Sequence, residues 1–155
     1  MRAAVAFLCA VSFSGAIAGL IPDKERDELT AAVLGKFWGR AKLSNGEVVQ
    51  PFSEEDRNTV PVSKGVAYRA LDAGEISGLG EWCGLDWKDH FLSLTKSARS
   101  RGFTEKQVAF FSFLHGAAQD RIATSMKKSG TCSDENRMKV ETYLKQSKER
   151  GLSGI

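Results

Sequence analysis

The densest run of chemically capable side chains is Glu81-Trp82-Cys83-Gly84-Leu85-Asp86-Trp87-Lys88-Asp89-His90-Phe91. Asp86 and His90 stand four residues apart, so on a helix they share a face. A carboxylate beside an imidazole can orient it as a general base or as a metal ligand. A second polar pair lies downstream, where Gln119 follows His115 by one helical turn in an otherwise apolar stretch. Buried together, His115 and Gln119 would form a small polar site facing the Trp82–Asp86 region. Asp86, His90, His115 and Gln119 are therefore the candidate polar site.

Each of these groups also has a structural reading, and the sequence favours it. Acid–histidine pairs at this spacing are common surface ion pairs. A histidine on an apolar helix face is more often a hydrogen-bonded core residue than a ligand. Trp82 and Trp87 serve first as core anchors. Zinc held by His90, His115 and Asp86 or Asp89 satisfies ligand type but has no HExxH or other paired motif. A serine nucleophile is not signalled: there is no GxSxG, and Ser93, Ser97 and Ser112 fall within helical patterns. Gly78-Leu79-Gly80 lacks the preceding strand of a dinucleotide fingerprint. No catalytic residue, metal or cofactor is assigned.

The elements that must position these residues read as helices. Pro22-Asp23 starts one, carried to residue 38 by Leu29, Ala32, Val33 and Phe37. Residues 39 to 64 form a long connection in which Asn45-Gly46 signals a small hairpin, limited by Pro51 and Pro61. A short helix over 66 to 73 is expected to end at Gly74. From Ile76 to Arg101, the stripe Leu79, Cys83, Trp87, Phe91, Leu94 and Ala98 predicts one long helix with Cys83 in its middle. Thr104 and Gln107 make a capping box for a helix over 105 to 128, apolar nearly all round and hence the buried central element. A charged last helix follows Ser133 and runs to about Lys148. The fold class is all-α: a small disulfide-linked helical bundle with an irregular N-terminal third.

Residues 1 to 18 read as a secretory signal, with Arg2, an apolar run and the small-x-small end Ala16-Ile17-Ala18. The run is shorter than the roughly 20 apolar residues of a membrane span. Cleavage after Ala18 would leave 137 of the 155 residues (155 minus 18) as a single domain, 19–155. Loss of Arg2 lowers the formal charge from +3 to +2, with no concentrated basic stripe to suggest nucleic acid. Cys9 leaves with the signal, and the remaining pair, Cys83 and Cys132, is most simply a disulfide in an oxidising compartment.

The run Trp82-Cys83-Gly84-Leu85-Asp86-Trp87, with Leu114-His115-Gly116 downstream, resembles short exported bacterial helical proteins over roughly residues 60 to 125. That resemblance implies export and brings no activity. The order of a helix-borne cysteine, two hairpinned helices and a cysteine before a charged last helix is similar to the periplasmic acid-stress chaperones. This likeness is topological only and carries over no functional residue. The expectation is a periplasmic or secreted, non-catalytic protein that binds another envelope or secreted protein as inhibitor, adaptor or chaperone, with Trp38 and Phe52 as contact residues. The alternative is a small enzyme or metal-dependent site centred on Asp86, His90 and His115.

Overall fold

The computed structural model describes residues 19–155, and it is all-helical. Six helices follow in chain order: α1 (Asp23–Phe37), α2 (Glu54–Asn58), α3 (Lys64–Trp82), α4 (Lys88–Ser100), α5 (Glu105–Ser129) and α6 (Asp134–Arg150). The signal-like segment and its cleavage point lie outside the described residues. Side-chain caps account for most of the helix starts. Ser53, Ser63 and Ser133 each accept from the backbone N–H three residues on. The Thr104–Gln107 capping box is present as expected.

α5 is the central element and packs chiefly against α3. Its Phe110, Phe111 and Leu114 are fully buried with Leu71 of α3, Leu94 of α4 and Phe37 of α1. Phe37 meets Phe110 edge-on at 5.1 Å between ring centres, which fixes α1 across one end of α5. A second apolar cluster, Ile76, Leu79, Cys83, Val140 and Leu144, joins α3 to α6 at the other end.

Two expected helix limits are corrected. Gly74 does not end a helix; it lies inside α3, which runs on to Trp82. The single helix expected over 76 to 101 is two, α3 and α4, broken at residues 83 to 87. Cys83 is the last-turn cap of α3 rather than a mid-helix residue. The break comes from Gly84, which sits in the left-handed region at φ +65. Leu85 N–H bonds Gly80 C=O at 2.8 Å and Gly84 N–H bonds Glu81 C=O, the two hydrogen bonds of a Schellman end. The Asp86 carboxylate then accepts from Lys88 N–H at 3.0 Å in the turn that leads into α4, whose N-cap position is Trp87. Gly74 survives mid-helix because α5 needs it. A methyl group there would collide with the His115 carbonyl oxygen, and one at Gly78 would fall 2.6 Å from the Gln119 carbonyl oxygen.

Residues 39 to 64 contain the small hairpin: Asn45-Gly46 turns the chain, and Lys42 bridges Val48. They also contain α2, a short helix capped by Ser53 within the expected long connection.

The Cys83–Cys132 bond closes a separation of 49 residues and ties the end of α3 to the entry of α6. Two hydrogen bonds flank it: Trp82 Nε1–H to Gly130 C=O and an Arg137 guanidinium N–H to Cys83 C=O, both 2.8 Å. In the chain-entropy model, a loop of this size contributes about 4 kcal/mol.

Gly78→Ala should therefore destabilise the protein by about 2–3 kcal/mol in urea unfolding, the cost of overpacking a closed helix contact. Gly116→Ala on the open face of α5, where a methyl meets nothing within 4 Å, should instead stabilise it by up to ~1 kcal/mol. Equal effects at both positions would contradict the packing account.

Candidate functional site

The two histidines of the sequence analysis do come together, but through a serine that the sequence reading passed over. Ser77 lies on α3 between Gly74 and Gly78, where the close approach to α5 brings its hydroxyl within reach of both rings. Ser77 Oγ is 2.9 Å from His115 Nε2 and 3.0 Å from His90 Nδ1. His90 Nε2 lies 2.9 Å from Ser147 Oγ on α6. The result is one chain, His115–Ser77–His90–Ser147, that crosses four helices. With both rings neutral, every link is satisfied whichever way the protons run along the chain: each ring supplies one N–H and one acceptor nitrogen.

This chain is sealed. Both histidines are 2% exposed and Ser77 is fully enclosed. The Phe91 ring covers His115 at 4.6 Å between centres, with Trp87 at 6.3 Å. Burial draws the His90 imidazole down to about 4, helped by the nearby Lys148 ammonium and opposed by Asp89. Burial also draws His115 down to about 3, and the neighbouring His90 ring adds to it. Such rings are neutral at physiological pH and could in principle accept protons. A substrate would need an opening, and four clefts of the described surface are lined by residues other than His90, His115 and Ser77.

The remaining candidates lie elsewhere. Asp86 is exposed, and its carboxylate accepts from Lys88 N–H rather than orienting His90. Gln119 is nearly buried, but its amide donates to the Glu81 carboxylate at 3.0 Å and not to His115. Glu81 also takes Lys127 at 2.8 Å; that ammonium first, then Gln119, holds its carboxyl below the ordinary glutamate value. Asp86, His90 and His115 therefore do not converge on one open surface. Among the described residues, no group of three or more His, Cys, Asp or Glu side chains is placed to hold a metal ion.

A second buried polar system was missed altogether. Glu75 on α3, 1% exposed, accepts from Leu20 N–H at 2.5 Å, from Ile21 N–H at 3.4 Å and from the Arg26 guanidinium at 3.0 Å. Arg26 also bonds Asp72 at 2.5 Å and donates to Ile21 C=O at 2.7 Å. Burial raises the Glu75 carboxyl despite these donors. The sequence signal was available: Asp72 and Glu75 are two acids, three residues apart, in an otherwise apolar stretch of α3. The partners of Glu75, some fifty residues earlier, were not predictable from spacing.

Of the two contact candidates, Phe52 is 94% exposed, while Trp38 is half-buried with its indole N–H on Arg57 C=O at 3.0 Å. Lys106 on α5 lies 5.7 Å from the Trp38 ring centre and 5.5 Å from that of Phe52. The ammonium thus bridges two aromatics 14 residues apart in sequence. Its charge is met by Asp56 at 2.8 Å.

Compared with known proteins, the chain matches no family model, and no curated protein or solved structure is significantly similar to it.

The histidine chain sets a pH dependence whose sign is fixed. Both rings bind protons less readily in the folded state than in the unfolded chain, where the imidazole value is 6.5. Stability is therefore fully present above about pH 6.5 and falls as pH drops, by up to ~1.4 kcal/mol per pH unit for each ring. Glu75, raised in the fold, works the other way and blunts the loss near the carboxylate range. Urea midpoints measured from pH 7 to 5 should decline, and His115→Gln should roughly halve the slope. A flat midpoint across that window would contradict the account. Arg26→Ala, which strands a buried carboxylate, should cost about 3–5 kcal/mol at pH 7 in the same assay.

Proposed function

We propose that this chain is an exported, non-catalytic protein that binds another envelope or secreted protein, with the Phe52 knuckle as its contact. The observation that carries the reading is the exposure of Phe52 on an ordered backbone. Phe52 N–H donates to Asp56 at 3.0 Å, Ser53 caps α2, and Asp56 is in turn held by Lys106. The ring is thus presented at little entropic cost, the condition under which an aromatic anchors a protein interface. Trp38 supports it from beneath through the shared Lys106.

Glu54 and Glu55 follow Phe52 in sequence as exposed acids, Glu54 paired with Arg57 at 3.6 Å, while Lys106 lies 5.5 Å from the ring centre. The edge of the knuckle is therefore of mixed charge, and its ring suits an apolar pocket on the partner. Export is supported by the signal-like residues 1 to 18 and by the disulfide. No helix among the described residues is long and apolar enough to cross a membrane. The two histidines are enclosed and Asp86 is exposed and bonded elsewhere, which favours binding over catalysis. Among binding roles, the two buried imidazoles favour a chaperone-like variant. Protonation of His90 below about pH 4 would loosen α4 from α3 and α6 and release apolar surface.

A photo-crosslinking residue at position 52, in protein mixed with the host's envelope and medium fractions, should yield one dominant protein adduct that unlabelled protein competes away. Phe52→Ala should weaken that complex roughly tenfold or more while leaving the urea midpoint unchanged. The absence of any competed adduct from positions 52 and 38 in folded protein would overturn the reading.

A further inference from the structure

An apolar cleft at the disulfide end of the molecule is not used by the contact proposed above. It measures about 220 Å³ and lies between α3, α5 and α6, lined by Leu20, Leu79, Trp82, Met126, Val140 and Tyr143. One edge is polar. Asn136, Lys139 and Tyr143 succeed one another at three- and four-residue steps along one face of α6 and line the same cleft.

We propose that this cleft binds a small amphipathic monocarboxylate, its chain or ring against Trp82 and Val140 and its carboxylate at the Asn136–Lys139–Tyr143 edge.

Size argues for a small molecule. An apolar cavity of about 150 Å³ takes benzene, so this one holds roughly nine heavy atoms, too few for a two-chain lipid or a row of helix side chains. The lining suits an uncharged body. Trp82 has spent its indole N–H on Gly130 C=O, so what remains to offer is its apolar ring. Charge selects the head group, because among the described residues Lys139 is the only charged one lining the cleft. Its present partner is Glu135 at 2.6 Å, an exposed pair with side chains 49% and 73% accessible. Such a pair contributes little, and a ligand carboxylate can take its place. Asn136 and Tyr143 line the same cleft and carry neutral donors, so its composition is that of a small-molecule site: apolar walls with a few polar residues at one edge. The base is rigid, since α3 and α6 are joined by the disulfide a few residues away.

The test is titration of the disulfide-intact protein with octanoate and, separately, with 1-octanol, followed by amide NMR. Octanoate should shift signals from Leu79, Trp82, Val140 and Tyr143 at sub-millimolar to millimolar concentration, with octanol much weaker. Lys139→Met should weaken octanoate roughly tenfold and Lys139→Glu should abolish its binding, with octanol unaffected by either. Lys139 is exposed, so neither variant threatens the fold. No shift with octanoate up to several millimolar would overturn the proposal. So would equal binding of acid and alcohol, or octanoate shifts that survive Lys139→Glu.

Discussion

The approach of α3 to the backbone of α5, permitted by Gly74 and Gly78, is the contact on which everything else is built. With no side chain at either position, α3 rests on the carbonyls of His115 and Gln119 and on the side chains of Ala118 and Ile122. Two consequences follow from that closeness. Ser77, between the glycines, is carried to hydrogen-bond distance of an α5 histidine. Glu75, one residue beyond Gly74, is enclosed and must find partners, which the N-terminal segment and Arg26 supply.

Around this pair the peripheral pieces are pinned by polar contacts as well as by burial of apolar surface. α4 is attached through His90 to Ser77, and α6 through Ser147 to His90 and through the disulfide. The N-terminal segment is held by Glu75. The C-terminal segment is held by Arg69 on Gly151 and Ser153 and by Arg101 on Leu152 and Ile155. Each pin leaves its polar atoms partnered, and among the described residues no buried side-chain nitrogen or oxygen lacks a hydrogen bond. The side chains best suited to chemistry are thereby consumed in holding helices together. The groups left facing water, such as Phe52, are suited to recognition.

The helical class, the central position of α5 and the cysteine pairing were legible because each depends on a local or countable signal: 3.6-residue periodicity, a capping box and two cysteines beyond residue 18. The stripe from Leu79 to Ala98 misled because its spacing continues across the break by coincidence. The deciding signal was Gly84-Leu85-Asp86, a left-handed stop followed by a turn. Gly74 misled in the opposite direction, since a glycine that admits a neighbouring helix looks in sequence like one that ends its own. The sequence favours a surface pairing of His90 with Asp86 and a core role for His115, and offers their meeting only as the alternative. Ser77 has no distinctive spacing to either ring, and the helix break at Gly84 leaves Asp86 bonded to Lys88 N–H instead of His90. Arg26 and Glu75 join across nearly fifty residues, a pairing fixed only by the packing of α1 and the N-terminal segment on α3.

The most direct test of whether the histidine chain is a sealed structural element is an NMR titration of the two imidazoles in the folded protein. Both rings should stay neutral down to below about pH 5, in keeping with values of about 4 for His90 and about 3 for His115. A ring that titrates near 6.5 while the fold persists would mean that water reaches the chain. The case for a catalytic site at His90 and His115 would then stand again.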